Sequence, residues 1–133
     1  MQTIVRRLKP NQEIFAEIES LCQSENIEAG VILSLVGSVK KAALRYANQE
    51  NASEIDGPHE IVSVTGTVSK TGSHIHISIS DGTGKTIGGH LLPGAIVYTT
   101  IELVILDMSK SHSFARSHCG LSGFEELTIV ERS

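Results

Sequence analysis

Residues 73–92 read SHIHISISDGTGKTIGGHLL, and the alternation inside this stretch decides how the chain folds. Ile75, Ile77 and Ile79 alternate with His74, His76, Ser78 and Ser80. On the return half, Ile87, Gly89 and Leu91 alternate with Thr86, Gly88 and His90. Side chains on a strand point to opposite faces in turn, so a hairpin with one buried face must bring both apolar sets to the same side. The register that does so pairs Ile79 with Ile87, Ile77 with Gly89 and Ile75 with Leu91. Asp81-Gly82-Thr83-Gly84-Lys85 is left as the connecting loop, a length and composition suited to a hairpin.

That register sets His76 directly opposite His90, on the same face as His74. Directly opposed residues have Cβ atoms about 5 Å apart, and i,i+2 neighbours are about 7 Å apart. Three imidazoles so placed can converge on one ion with metal–nitrogen bonds of about 2.1 Å. Three nitrogen ligands with an open fourth position describe a catalytic-type zinc site, whereas structural sites close with four protein ligands. Zinc is the default, although copper, nickel and iron also accept imidazole. Gly88 and Gly89 beside His90 leave room on the sheet or mark a bulge. The plain alternative is three solvated surface histidines.

Around this hairpin the chain reads as alternating strand and turn. Thr3–Leu8 is a short strand, broken by Lys9-Pro10-Asn11. Asn11 is placed to cap a helix in which Ile14, Phe15, Ile18, Leu21 and Cys22 recur at helical spacing, ending near Ser24 to Asn26. Val31–Val36 reads as a buried strand with Gly37 interrupting before Val39, and Ala42–Ala47 as the next. Polar, turn-rich Asn48–Pro58 reads as a loop. Glu60–Val68 is a strand with Val62, Val64 and Val68 on one side. Val97–Leu106 is apolar on both sides, as a central strand would be. Ser109–Cys119 reads as irregular, and Phe124–Glu131 as the last strand. The expected architecture is α+β: a mostly antiparallel sheet with one main helix packed on it, in one domain over residues 1–133.

Two groups near the histidines are candidates for support. Ligating histidines usually donate their second N–H to a carboxylate or carbonyl. Glu102, expected to be buried within the apolar 97–106 run, could orient a ligand or pair with Arg45. His112 and His118 could add a fourth ligand or nothing, and His59 after Pro58 reads as a loop residue. Gly84-Lys85-Thr86 ends like a phosphate-binding loop, but Ile79 stands where the first Gly is needed and a strand follows instead of a helix.

Composition narrows the function. With 40% hydrophobic and 20% charged residues over 133 positions, the chain can bury a core of its own. Its 11 Lys and Arg leave a net charge of −4. They are scattered, with Arg6-Arg7 and Lys40-Lys41 the only adjacent pairs. Direct DNA binding through phosphates wants a basic face that this pattern does not supply. Cys22 and Cys119 suggest no disulfide framework. Neither a signal-peptide pattern nor an apolar run of membrane-spanning length is visible, so the expected compartment is the cytoplasm, away from membranes.

Several strings carry a resemblance: Val31–Ser38, Ala43-Leu44-Arg45, Glu60–Val68, Gly72–Ser78 and Gly84–Leu91. In this order and spacing the chain resembles the plants-and-prokaryotes-conserved (PPC) domain, found beside AT-hooks in plant nuclear proteins and alone in bacteria and archaea. The resemblance implies a compact α+β fold that assembles as a homotrimer. It also implies a metal, usually taken as zinc, on His74, His76 and His90. Prokaryotic members are commonly described as DNA-binding by analogy with the plant proteins, but this chain has no Arg-Gly-Arg-Pro hook. The fold is similar to that of acetolactate decarboxylase, a three-histidine zinc enzyme, which is analogy at the level of fold only. Three readings follow. One is a trimeric metal-binding module, regulatory in role, acting through small-molecule or protein contacts. Another is an uncharacterised zinc-dependent enzyme of lyase or hydrolase type. The third is a nucleic-acid-binding protein.

Overall fold

The structure, a computed structural model, describes residues 1–132. Its strands are β1 (Gln2–Leu8), β2 (Gly30–Arg45), β3 (Ser53–Val68), β4 (His74–Ser80), β5 (Thr86–Leu91), β6 (Ile96–Asp107), β7 (His112–His118) and β8 (Glu125–Glu131), with one helix, α1 (Ile14–Ser24). Six strands form an antiparallel sheet in the order β1-β6-β2-β3-β4-β5, and β7 and β8 form a separate hairpin. The mostly antiparallel sheet with a single short helix fits the expected class.

The large sheet curls until its last strand meets its middle one. β5 pairs with the end of β2 through Leu44↔Leu91 and Arg45↔His90. Glycine makes that closure geometrically feasible. A Cβ on Gly89 would stand 2.8 Å from the Arg45 carbonyl oxygen, and one on Gly88 2.8 Å from that of Ile77. Both glycines thus serve close backbone approach, and the β4–β5 ladder runs without a bulge.

The core follows the alternation. Ile75, Ile77, Ile79, Leu91 and Leu44 are all buried on the inner face. Each such side chain contributes about 1.5–3 kcal/mol through removal from water. From α1, Ile14, Ile18, Leu21 and Cys22 join the same cluster. Burial pushes the Cys22 thiol up to about 11, with the nearby Asp107 and Glu19 charges adding to it, so it stays a neutral core group.

Several sequence expectations are corrected. The helix is capped by Glu13, whose carboxylate accepts from the Phe15 and Ala16 amides at 2.6 and 3.2 Å. Asn11 instead takes a left-handed turn (φ 73°) and donates its amide to the Val97 carbonyl. Gly37 does not end a strand: β2 runs through it to Arg45. A Cβ there would lie 2.0 Å from the Thr100 carbonyl oxygen, so glycine is what lets β6 pass. β3 begins at Ser53, so much of the expected 48–58 loop is strand and His59 lies on it, its Nδ1 3.0 Å from the Gly57 carbonyl. A register shift between Ile61 and Ser63 turns Val62 outward, 55% exposed, while Ile61, Val64 and Val68 face the core. β6 is central, between β1 and β2, yet only one of its faces is buried. The His-containing segment after residue 111 is a regular strand, β7.

Candidate metal centre

The three histidines converge as the register requires. His76 pairs with His90 across β4 and β5, and His74 sits two residues up β4 on the same outward face. Ring centroids are 4.8, 5.0 and 5.5 Å apart. One ligating nitrogen from each ring lies within 4.8 Å of the others, and His74 and His76 share an Nε2–Nε2 hydrogen bond of 3.1 Å. Tetrahedral coordination at about 2.1 Å needs nitrogens about 3.4 Å apart. Small side-chain rotations therefore suffice to close the three around an ion, and the donor set fits zinc.

The surroundings favour neutral imidazole, the form that ligates. Burial, then the Arg45 guanidinium, then the other two histidines hold His90 down at about 4. His74 is lowered by burial first, then by His76 and Arg116, against a smaller opposing effect of Glu126.

Arg45 is the expected supporting residue that the structure brings in: it pairs with His90 at the point of sheet closure. Glu102 is not brought in. It is exposed on β6, between Arg7 of β1 and Val36 of β2, and does not line the histidine cleft. The outward face of this part of the sheet carries apolar side chains in the open, so an apolar run did not mean burial. Among the described residues neither His112 nor His118 joins the cluster. His112 Nδ1 bonds the Ser111 hydroxyl at 2.8 Å, and His118 ends β7 opposite Glu125.

Sequence reasoning missed the wall of the site. The β7–β8 hairpin docks beside the histidines through an Arg116 donation to Thr67 Oγ1 (3.0 Å) and a Thr71 hydroxyl donation to the Phe114 carbonyl (2.8 Å). Thr67 is itself the β3 neighbour of His74. An open cleft of about 1240 Å³ results, lined by the histidines, Gly88 and Gly89, and also by Arg45, Arg116, Phe124 and Glu126. The turn signal at Gly120-Leu121-Ser122-Gly123 between two short alternating runs could have disclosed the hairpin, though not where it docks.

Among known proteins, the chain is 39% identical to a hypothetical protein from Salmonella cholerae-suis of known structure. That match has a TM-score of 0.96 and covers 99% of this chain and 95% of that one. A metal-containing protein from Archaeoglobus fulgidus is 28% identical, with a TM-score of 0.80 and coverage of 96% and 94%. The bifunctional protein GlmU of a Synechococcus strain is 38% identical over 92% of this chain, which spans only 19% of that relative's length. No helix is long and apolar enough to cross a membrane among the described residues. The Plants and Prokaryotes Conserved (PCC) domain matches residues 1–109, which hold every histidine of the cluster and end just before β7. The chain belongs to that family.

Proposed function

We propose that this chain is a trimeric metal-binding module of the cytoplasm, regulatory in role, with His74, His76 and His90 holding one divalent transition ion, zinc first. The observation that carries this reading is the convergence of three imidazole nitrogens within 4.8 Å on one face of the β4–β5 hairpin. The metal-containing Archaeoglobus relative supports it. A bound zinc would polarise an oxygen ligand or acidify a water at its open position. The chain's own part is to fix three neutral imidazoles and to leave one side facing the cleft. The family resemblance supports trimerisation. So does the outward sheet face, where Val5, Leu33 and Val36 are 61%, 54% and 49% exposed, because apolar groups so exposed are a common mark of subunit contact.

A second reading, a zinc-dependent enzyme of lyase or hydrolase type, is favoured by one observation: the cleft is open and carries charged groups beside the histidines. DNA binding is the reading that the charge balance of −4 opposes.

Elemental analysis of protein purified without chelators tests the proposal. About one metal per chain is expected for the wild type and a large loss in His74→Ala and His90→Ala. Metal absent from all three proteins, or equal in all three, overturns it. Sedimentation at several concentrations tests the trimer, and a monomer throughout refutes that part.

A further inference from the structure

The cleft holds two arginines, Arg45 and Arg116, alongside the carboxylates of Glu50, Glu125 and Glu126. Arg45 reaches it from the end of β2 and Arg116 from β7, so the two guanidiniums approach the histidines from different sides. Both residues are partly buried. Among the described residues neither forms an ion pair. Arg116 spends one donor on Thr67, and Arg45 makes no side-chain hydrogen bond within the described residues. A third feature lies in the same wall: the Ser73 hydroxyl, next to His74, is buried with no hydrogen-bond partner. A buried hydroxyl without a partner costs stability unless something answers it, and two guanidiniums beside a divalent cation would repel it.

We infer that Arg45 and Arg116 form the recognition site for a small monocarboxylate, which lies in the cleft beside the three histidines with its carboxylate held by the guanidinium forks. This rests on the metal-binding reading above and names the ligand class of that site. Guanidinium matches a carboxylate in bidentate fashion, and the fork geometry gives orientation as well as charge. A single negative charge is selected because Glu50, Glu125 and Glu126 also line the cleft and oppose a dianion. Arg116 and two of these glutamates belong to the β7–β8 hairpin, outside the 1–109 segment that matches the family.

Calorimetric titration of the zinc-loaded protein with pyruvate, its neutral amide and inorganic phosphate tests the inference, after metal content has been measured for every protein used. Pyruvate should bind and the amide should not. Compared at measured full metal loading, Arg45→Gln and Arg116→Gln should each weaken pyruvate binding about tenfold or more, the scale of losing a charged hydrogen-bonding partner. Arg45→Lys and Arg116→Lys, which keep the charge but lose the fork, serve if a Gln variant fails to fold, and should fall between. Protein without stoichiometric metal overturns the metal reading and this one with it. Metal-loaded protein that ignores pyruvate, binds the amide equally, prefers phosphate, or binds pyruvate unchanged in the arginine variants overturns this inference alone.

Discussion

Gly89→Ala is a one-carbon change that tests whether sheet closure places the third histidine. The added Cβ would stand 2.8 Å from the Arg45 carbonyl oxygen, and that atom is backbone, so it cannot rotate away. Relief to ordinary contact needs roughly 0.5 Å of strand separation, an overpacking change that costs about 1–3 kcal/mol. Against this, alanine loses less chain entropy on folding than glycine, a gain of about 0.5–1 kcal/mol. The net expectation is a loss of about 1–2 kcal/mol, or about 3–8 °C in Tm for a chain of this length. β5 pairs with β2 through Leu44↔Leu91 and Arg45↔His90, so the separation falls on the pair beside the site. Metal affinity should drop along with stability. Urea unfolding and metal titration of Gly89→Ala, set beside Gly82→Ala, measure both effects. A Cβ on Gly82 meets nothing within 4 Å, so that variant should match the wild type. Gly89→Ala with wild-type stability and wild-type metal affinity would refute the closure argument.

Other expectations follow from the same structure. Ile79→Ala removes a fully buried core side chain and should cost about 2–5 kcal/mol in urea unfolding, with a loss under 1 kcal/mol speaking against the inward face assigned to the hairpin. Glu13→Ala deletes both cap contacts of α1 and should cost about 0.5–2 kcal/mol, where Asn11→Ala should leave helix capping untouched. The metal-free protein should weaken in acid. His90 is held at about 4 against 6.5 in the unfolded chain, so the unfolded state takes up the proton first. Stability from this group is then complete above about 6.5 and falls as pH drops toward about 4. Thermal melts of the metal-free wild type and His90→Gln across that range check the sign, and identical pH profiles would sink it.

Local pattern was legible in the sequence, and long-range docking was not. The isoleucine alternation of β4 is a two-residue period, so the register of the hairpin, and with it the opposition of His76 and His90, followed from neighbours alone. The helix was equally legible because Ile14, Ile18, Leu21 and Cys22 share one face. Its cap was not, because Asn11 is consumed by a left-handed turn that pairs with distant Val97. Val62 was misassigned because a bulge reverses the strand's parity and leaves no mark in composition. Glu102 was misplaced because an apolar strand can show one apolar face to the outside. The Arg116–Thr67 contact joins residues 49 apart in sequence, so no local period could have placed the β7–β8 hairpin against the histidines.

The central claim is that His74, His76 and His90 hold one metal ion. Anomalous scattering from crystals of protein purified without chelators, collected on both sides of the zinc edge, tests it most directly. One strong peak per chain is expected, with a nitrogen of each of the three rings at about 2.1 Å. Electron density that shows the His74–His76 hydrogen bond intact and no anomalous peak between the rings would contradict it.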